Sequence, residues 1–406
     1  MAVCLAVLIS TEGYGQDESG VEKTGKDKER KELPFGASPF IFSDPNTGFG
    51  GGAAGMIRNI GKEARDLSGT VIYTTNQYET YMIDLTEPHL FTENGWGRIY
   101  ISINSEPVKR FYGPGPDRED ISGNDSLKDN VCNWRSHSFT LEPKYTYWFK
   151  PAVWGMRFAF SYQDFKPQNS NLDEDEDDDS TRPISDVWPE VYHSDDFQEG
   201  GLFIGPGLNF VHDSRKDRFP VGGGREEKVF PTSGGRQELG MSLFDPTFGS
   251  DFSFSSVSFD VRHFFPLSED ELTVLGVRGR LITHGGHVPF WRLTGFGGGD
   301  SLRGYHGSRF VDNHSVLFNV ELRQAIDVST SLFKGAITLK APMLVLFYDY
   351  GRVYEDLEDI TDELYGFHDS YGAAFRFIVT PSIVIRFEYA FSEEETDFYM
   401  NAGHAF

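Results

Sequence analysis

Cysteine and the basic side chains are both scarce in this sequence. Only two of its 406 residues are cysteines, Cys4 and Cys132, and neither lies in a closely spaced metal or redox motif. A disulfide-rich scaffold is therefore excluded. Lys and Arg total 37 against 62 Asp and Glu, which gives a formal net charge of −25. Because a phosphate backbone is bound by clustered basic side chains, we expect no nucleic-acid partner.

Long hydrophobic runs are also missing. Beyond the N-terminus the chain has no run of about 18 apolar residues, the length that a membrane-crossing helix requires. Phe, Trp and Tyr instead make up 15% of the residues, and 44 residues are glycine, a composition typical of strands and turns. A membrane β-strand needs only about 9 to 11 alternating residues, so the composition is compatible with a membrane barrel.

The N-terminal residues differ from the rest of the chain. Residues 1–15 hold a short apolar stretch, Ala2 to Ile9, followed by small residues. This predicts a signal peptide, although the usual positively charged start is missing; the alternative is a buried strand. Residues 16–33 are charged and polar without an apolar period, which predicts a flexible periplasmic segment. From Pro34 to Phe406, short alternating segments separated by turn residues predict an all-β domain, residues 34–406.

Apolar and polar residues alternate in several of these segments, because successive side chains of a strand point to opposite faces. In one segment Val316, Phe318, Val320 and Leu322 share the face opposite Asn319, Glu321 and Arg323. A soluble sandwich and a membrane barrel both give this pattern. Aromatic residues near strand ends, as at Tyr348 and Tyr350, and alternating short and long connections favour the barrel. We predict a transmembrane antiparallel β-barrel of about sixteen strands in a bacterial outer membrane, with both termini in the periplasm.

One long connection carries the sequence "FGGGDSLRGY", Phe296 to Tyr305, and is predicted to be the extracellular loop between the eleventh and twelfth strands. Its glycines allow tight turns, and Arg303 needs carboxylate partners if it is buried. Glu321 and Asp349 fall on the lumen side of their strands. In isolation, Arg303 would be a solvated loop residue and Asp349 an ordinary lumen carboxylate. Together they predict a loop that folds into the barrel, with Arg303 bonded to one or both carboxylates.

These segments resemble motifs of the BamA/TamA superfamily of outer-membrane barrels, the bacterial surface antigen family. "SLRGY" is similar to the family's loop motif of Arg-Gly and an aromatic residue, "NVELR" resembles the next strand, and "FYDYG" resembles the strand that receives the arginine. "NFVHDSRKDRFP" with "PTSGG" resembles a family turn, interrupted here by "VGGGREEKV". The resemblance implies a loop motif of Ser301, Leu302, Arg303, Gly304 and Tyr305, held by the lumen residues Glu321, Phe347, Asp349 and Gly351. At the C-terminus, Phe406 suits an assembly signal, but His404 replaces its usual second aromatic residue.

The resemblance also implies a function: outer-membrane protein assembly or translocation by lateral opening of the seam between the first and last strands. The first strand, near Ser38 to Ser43, is predicted to be very short, so the seam should be poorly paired. The family's periplasmic POTRA domains do not fit before Pro34, so a periplasmic accessory protein would have to deliver clients. Expected partners are outer-membrane lipid, client outer-membrane or secreted proteins and that accessory protein. The alternative is a passive outer-membrane channel or structural barrel without insertase activity.

The remaining motifs predict no chemistry. The seven acids Asp173 to Asp179 lack a calcium-loop pattern and predict a solvated loop. His284 and His287 lack further clustered ligands for a metal. The glycine-rich loop lacks the Lys-Ser/Thr of a phosphate loop, and no nucleophile elbow or Ser, His and Asp set is visible. We expect no catalytic residue, metal or cofactor, and no enzyme activity.

Overall fold

The computed structural model describes residues 35–44, 47–60, 65–115, 131–149, 153–169, 183–218, 230–332, 337–362, 366–379 and 383–402. The expected signal peptide and periplasmic segment, the acidic run Asp173 to Asp179, the insertion "VGGGREEKV" and the C-terminal pair His404 and Phe406 lie outside these residues. Among the described residues, no helix is long and apolar enough to cross a membrane.

The described residues form twenty strands. They are β1 (Phe35–Asp44), β2 (Gly48–Ile60), β3 (Arg65–Thr74), β4 (Glu79–Pro88), β5 (Gly95–Phe111), β6 (Cys132–Phe149), β7 (Trp154–Asn169), β8 (Gly201–Asp213), β9 (Lys216–Asp217), β10 (Pro231–Phe244), β11 (Phe254–Pro266), β12 (Thr273–Gly286), β13 (Thr294–Phe296), β14 (Phe310–Asp312), β15 (His314–Ala325), β16 (Ser329–Leu332), β17 (Ile337–Tyr354), β18 (His368–Val379), β19 (Ile383–Phe391) and β20 (Thr396–Ala402).

Sixteen of these strands form a closed antiparallel β-barrel. Each barrel strand pairs with the next one along the chain, and β20 pairs with β1 to close the cylinder. The short strands β9 and β16 only extend the pairing of β10 and β17, and β13 pairs with β14 in a separate two-stranded sheet. The predicted fold class and strand number are confirmed.

The faces of β15 show why this sequence makes a barrel rather than a soluble sandwich. Phe318 is 47% exposed and Leu322 is 40% exposed, whereas Glu321 and Arg323 are fully buried. From Phe318 to Arg323, polar and charged residues therefore face the interior, and apolar residues face outward. A surface of that kind fits a surrounding lipid phase, and the alternation found in the sequence corresponds to the inside and outside of the cylinder.

The first strand is longer than predicted. It spans Phe35–Asp44, ten residues, and all ten are in register with β2. The expectation of a very short strand near Ser38 to Ser43 was therefore wrong, because Pro39 and the neighbouring small residues hide the alternation. Proline cannot donate a ladder hydrogen bond and is confined to edge strands, which suits a strand at a seam. Within the described residues, β1 is in register with β20 at only one pair, Ser43 and Met400.

Aromatic side chains cover the end of the barrel where the connections between β7 and β8 and between β12 and β15 lie. Three short helices, Ile184–Val187, Pro189–Tyr192 and Asp195–Glu199, lie in the connection between β7 and β8. The ring of Phe197 stacks on that of Phe290, with centroids 5.9 Å apart, and Phe290 also packs against Phe111 at 4.7 Å. Phe290 belongs to the connection between β12 and β15, so these two connections share one apolar cluster.

Candidate functional site

The connection between β12 and β15, residues 287–313, folds into the lumen and is called the plug loop here. Its ends are joined by the pairing of β13 with β14, Thr294 being in register with Asp312. At the tip, Gly304 has φ +84°, and a Cβ there would lie 3.2 Å from the backbone of Phe391. A residue other than glycine would be strained at this φ and crowded against the wall. The local sequence thus places the preceding residue, Arg303, directly against the lumen wall.

Arg303 is fully buried and bonds to three strands of the wall, β15, β17 and β19. Its Nε and Nη2 atoms donate to the two carboxylate oxygens of Asp349 at 2.7 and 2.8 Å, a bidentate arrangement, and its backbone N–H donates to Asp349 at 3.2 Å. Its Nη1 atom donates to Glu321 at 2.9 Å. The guanidinium carbon lies 3.5 Å from the ring centroid of Phe347, which adds a cation–π contact. Both carboxylates singled out in the sequence contact Arg303.

The other residues of the two sequence motifs lie around this arginine. The carbonyl of Ser301 accepts from Asn319 Nδ2 at 2.8 Å, and the same amide donates to Asp349 at 2.8 Å. The side chain of Leu302 is fully buried in an apolar cluster with Tyr305, and Tyr305 donates to a backbone carbonyl of β18 at 3.2 Å. A Cβ on Gly351 would lie 3.1 Å from a ring of the plug loop, so glycine permits the close approach.

The arginine belongs to a larger buried ion cluster. Glu321 also accepts from Arg323 at 2.8 Å and from both terminal nitrogens of Arg376 at 2.7 and 2.9 Å. Glu388 accepts from Arg303 at 3.2 Å, from Arg376 at 2.6 Å and from Arg386 at 2.9 Å. Each of these charged side chains is at most 1% exposed. Four guanidinium groups thus face three buried carboxylates, and Asp300 of the plug loop pairs with Arg386.

The sequence analysis assigned no role to Arg376, Arg386 and Glu388. It missed Tyr399 altogether, although this residue contacts the plug loop: its hydroxyl accepts from the Gly304 N–H at 3.0 Å and donates to Asp397 at 2.9 Å. The available signal was the alternation of β18, β19 and β20, which puts these side chains on the lumen face. The alternation does not give the position of these side chains along the barrel axis, so it cannot identify their partners.

The two histidines of "HGGH" do not converge on a metal site. His287 Nε2 contacts a carboxylate oxygen of Asp196 at 2.7 Å, and so links the plug loop to the helix Asp195–Glu199. Across the described parts of the chain, no group of three His, Cys, Asp or Glu side chains is arranged to hold a metal ion.

His306 directly follows the loop motif of Ser301 to Tyr305 and is a titratable side chain of the plug loop. Burial and, to a smaller extent, the nearby cation Arg110 lower its pKa from 6.5 to about 4. The imidazole is therefore neutral at ordinary pH.

A cavity of about 510 Å³ lies between the plug loop and the seam side of the wall. Its lining includes Phe42 and Asp44 of β1, Asn401 of β20, and Asp300 and His306 of the plug loop. The plug loop is hydrogen-bonded to β15, β17, β18, β19 and β20, and this open space borders the ends of β1 and β5.

Comparison with known proteins places this fold. Residues 222–406 match the Omp85 superfamily domain. The crystal structure of BamA from Haemophilus ducreyi lacking POTRA domains 1–3 is 14% identical in sequence to this chain, with a TM-score of 0.59. The matched region covers 92% of this chain and 70% of the BamA chain. CdiB from Escherichia coli is 12% identical in sequence, with a TM-score of 0.58. Here the matched region covers 91% of this chain and 62% of the CdiB chain. A search of the curated proteins finds no match. The chain is thus a sixteen-stranded barrel whose residues 222–406 match the Omp85 superfamily domain, and this match confirms the resemblance found in its sequence.

Proposed function

We propose that this protein assembles or translocates proteins at the bacterial outer membrane by lateral opening of the seam between β1 and β20. The observation that carries the proposal is the closure of the barrel, which joins its first and last strands, β1 and β20, in register at Ser43 and Met400. Backbone groups that become unpaired when such a seam opens are a template for an added strand. An incoming client strand would bind there by β-augmentation.

In this proposal, Arg303 and its partners hold the plug loop in the lumen and stiffen the wall beside the seam. The buried ion cluster joins four consecutive barrel strands, because Glu321 lies on β15, Asp349 on β17, Arg376 on β18 and Glu388 on β19. Charge-assisted hydrogen bonds of this kind are stronger than neutral ones and fix geometry. The cross-linked wall would keep its shape while the seam opens.

A disulfide across the seam tests lateral opening. With Cys4→Ser and Cys132→Ala as background, Ser43→Cys and Met400→Cys place thiols at directly opposed positions. We expect oxidation to abolish client assembly in proteoliposomes and a reductant to restore it. The matched control is Val257→Cys with Thr283→Cys, an opposed pair on β11 and β12 away from the seam. Undiminished assembly by the oxidised seam variant, or equal loss in the control, would contradict lateral opening.

Conductance in planar bilayers distinguishes the plugged barrel from a passive channel. Because the plug loop is bonded into the lumen, the wild type should show small, irregular conductance, and Arg303→Ala should raise it by releasing the loop. Arg98→Ala is the control, since this lumen arginine pairs with Asp84 and is 48% exposed. A large, steady pore in the wild type would favour the channel instead.

Clients and a periplasmic accessory protein that delivers them are proposed as partners, by likeness to the barrels compared above. Outer-membrane lipid is the third partner, and the outward-facing apolar residues of β15 support it. Co-purification after mild detergent extraction would identify the protein partners.

A further inference from the structure

The wall formed by β10, β11 and β12 carries a row of three arginines. Arg236, Arg262 and Arg278 lie directly opposite one another in the register of these antiparallel strands. Opposed residues share a face, and Arg278 is in turn opposite Asn319, whose amide donates to a carboxylate inside the lumen. The row therefore faces the lumen. Like charges directly opposite each other destabilise a sheet, so this row needs negative charge against it.

Three carboxylates lie against the arginine row, and each accepts from two arginines. They are Asp213 of β8, Glu238 of β10 and Asp260 of β11. The arginines bonded to them, which together with Arg280 are called the arginine cluster here, are Arg157, Arg215, Arg236, Arg262 and Arg278. Asp300 of the plug loop also attracts Arg278, but it is paired with Arg386. Six guanidinium groups of the described chain thus face three carboxylates, a surplus of three positive charges.

Arg280 is the member of the arginine cluster with no carboxylate partner among the described residues. It lies opposite Asp260 in register, but both carboxylate oxygens of Asp260 accept from the arginine row. Its Nε atom is buried without a hydrogen-bond partner, and its Nη2 atom donates only to the carbonyl of Gly295 in the plug loop, at 3.4 Å. A buried charged donor without an acceptor costs free energy. Arg280 therefore offers donors that a ligand can satisfy.

Water reaches the arginine cluster, in contrast to the buried ion cluster around Arg303. The side chains of Arg262 and Asp260 are 26% and 19% exposed, and those of Arg157 and Glu238 are 14% and 20% exposed. The side chain of Arg303 has no exposed surface. A solute in the lumen can therefore approach the arginine cluster without displacing the plug loop.

We propose that the arginine cluster is a binding site for an oxyanion, a carboxylate or a phosphate group, with Arg280 and the arginine row as donors. Guanidinium groups match the oxygens of both anions through paired N–H bonds, and basic side chains that line a pore select anions. The formal net charge of the chain is −25, so a positive wall runs against its overall composition. The oxyanion has two possible sources: free phosphate, and the acidic side chains of a polypeptide in the lumen.

Thermal unfolding of the intact protein in a non-ionic detergent tests the free anion. Because a ligand that binds only the folded state stabilises it, millimolar phosphate should raise the unfolding temperature above that in chloride of equal ionic strength. Tryptophan fluorescence measures the shift. Arg280→Gln should fold normally in chloride, since it breaks no ion pair, and should lose the shift. Arg98→Gln, which removes a lumen arginine paired with Asp84, is the charge-matched control and should keep it.

A labelled oligoglutamate tests the polypeptide source in the same detergent, with oligoglutamine as its neutral counterpart and fluorescence anisotropy as the measurement. We expect oligoglutamate alone to bind, and Arg280→Gln to weaken its binding at least about tenfold, the effect of one hydrogen bond to a charged group. Arg98→Gln should bind it as the wild type does.

The two measurements together identify the source of the oxyanion. Tighter binding of oligoglutamate than of phosphate supports a polypeptide, and binding of phosphate alone supports a free anion. If the wild type binds neither probe, or if Arg98→Gln weakens binding as much as Arg280→Gln does, the arginine cluster is not the site. Neither measurement needs a client or an open seam, so its failure leaves the proposed function standing, and an ineffective seam disulfide leaves the oxyanion site standing.

Discussion

Arg303→Ala is expected to lower the free energy of unfolding of the barrel by about 3–5 kcal/mol, the cost of breaking a buried ion pair from one side. The substitution removes the four hydrogen bonds of the guanidinium group and leaves Asp349, Glu321 and Glu388 buried with less compensating positive charge. The measurement is the temperature at which folded barrel converts to the unfolded band in semi-native electrophoresis. That temperature should fall well below the wild-type value.

Two further variants make this result specific. Arg303→Lys keeps the positive charge but cannot form the bidentate hydrogen bonds to Asp349. Its unfolding temperature should therefore lie between those of the wild type and Arg303→Ala. Arg98→Ala removes a lumen arginine that is 48% exposed and should cost at most about 1 kcal/mol. If Arg303→Ala unfolds at the wild-type temperature, the plug loop is not held by this residue.

Glu321→Gln is expected to destabilise the barrel by a similar amount, about 3–5 kcal/mol. This carboxylate accepts from three guanidinium groups, those of Arg303, Arg323 and Arg376, and all of them are buried. Neutralising it leaves these like charges close together with one anion fewer. Thermal unfolding followed by electrophoresis or tryptophan fluorescence measures the loss, and Glu142→Gln, a partly exposed lumen carboxylate, is the matched control.

The double variant Arg303→Ala with Glu321→Gln tests whether the two residues act as a pair. Because removing both charges leaves less uncompensated charge than removing either one, the combined loss should be smaller than the sum of the single losses. If the two losses of unfolding free energy were additive, the hydrogen bond of 2.9 Å from Arg303 Nη1 to Glu321 would contribute no coupling energy.

The sequence was sufficient for the barrel and for the contact at its centre. Period-two alternation predicts which side chains face the lumen, and it did so along β15, where Glu321 and Arg323 are buried. The motif order then led to Arg303 and Asp349, which are in contact in the structure. Their role in holding the plug loop stays a prediction until the variants are measured.

What the sequence could not provide is the height of each lumen residue along the barrel axis. Glu388 and Tyr399 face the lumen by alternation, but their contacts with the plug loop depend on the strand register and on the path of a loop that is distant in sequence. The length of β1 was missed for another reason. Pro39 and the small residues around it are unusual within a strand, and pairing with β2 along all ten residues outweighs their low strand propensity.

The burial of the ion cluster has a consequence for how the plug loop can be released. Mobile salt ions weaken interactions between exposed charges within a Debye length of about 8 Å at physiological ionic strength, but they do not reach pairs that water does not reach. The pairs of Arg303 have no exposed side-chain surface. Changes in the osmolarity or salinity of the medium will therefore leave the loop in place, and only a force on the protein backbone or a competing group inside the lumen can dislodge it.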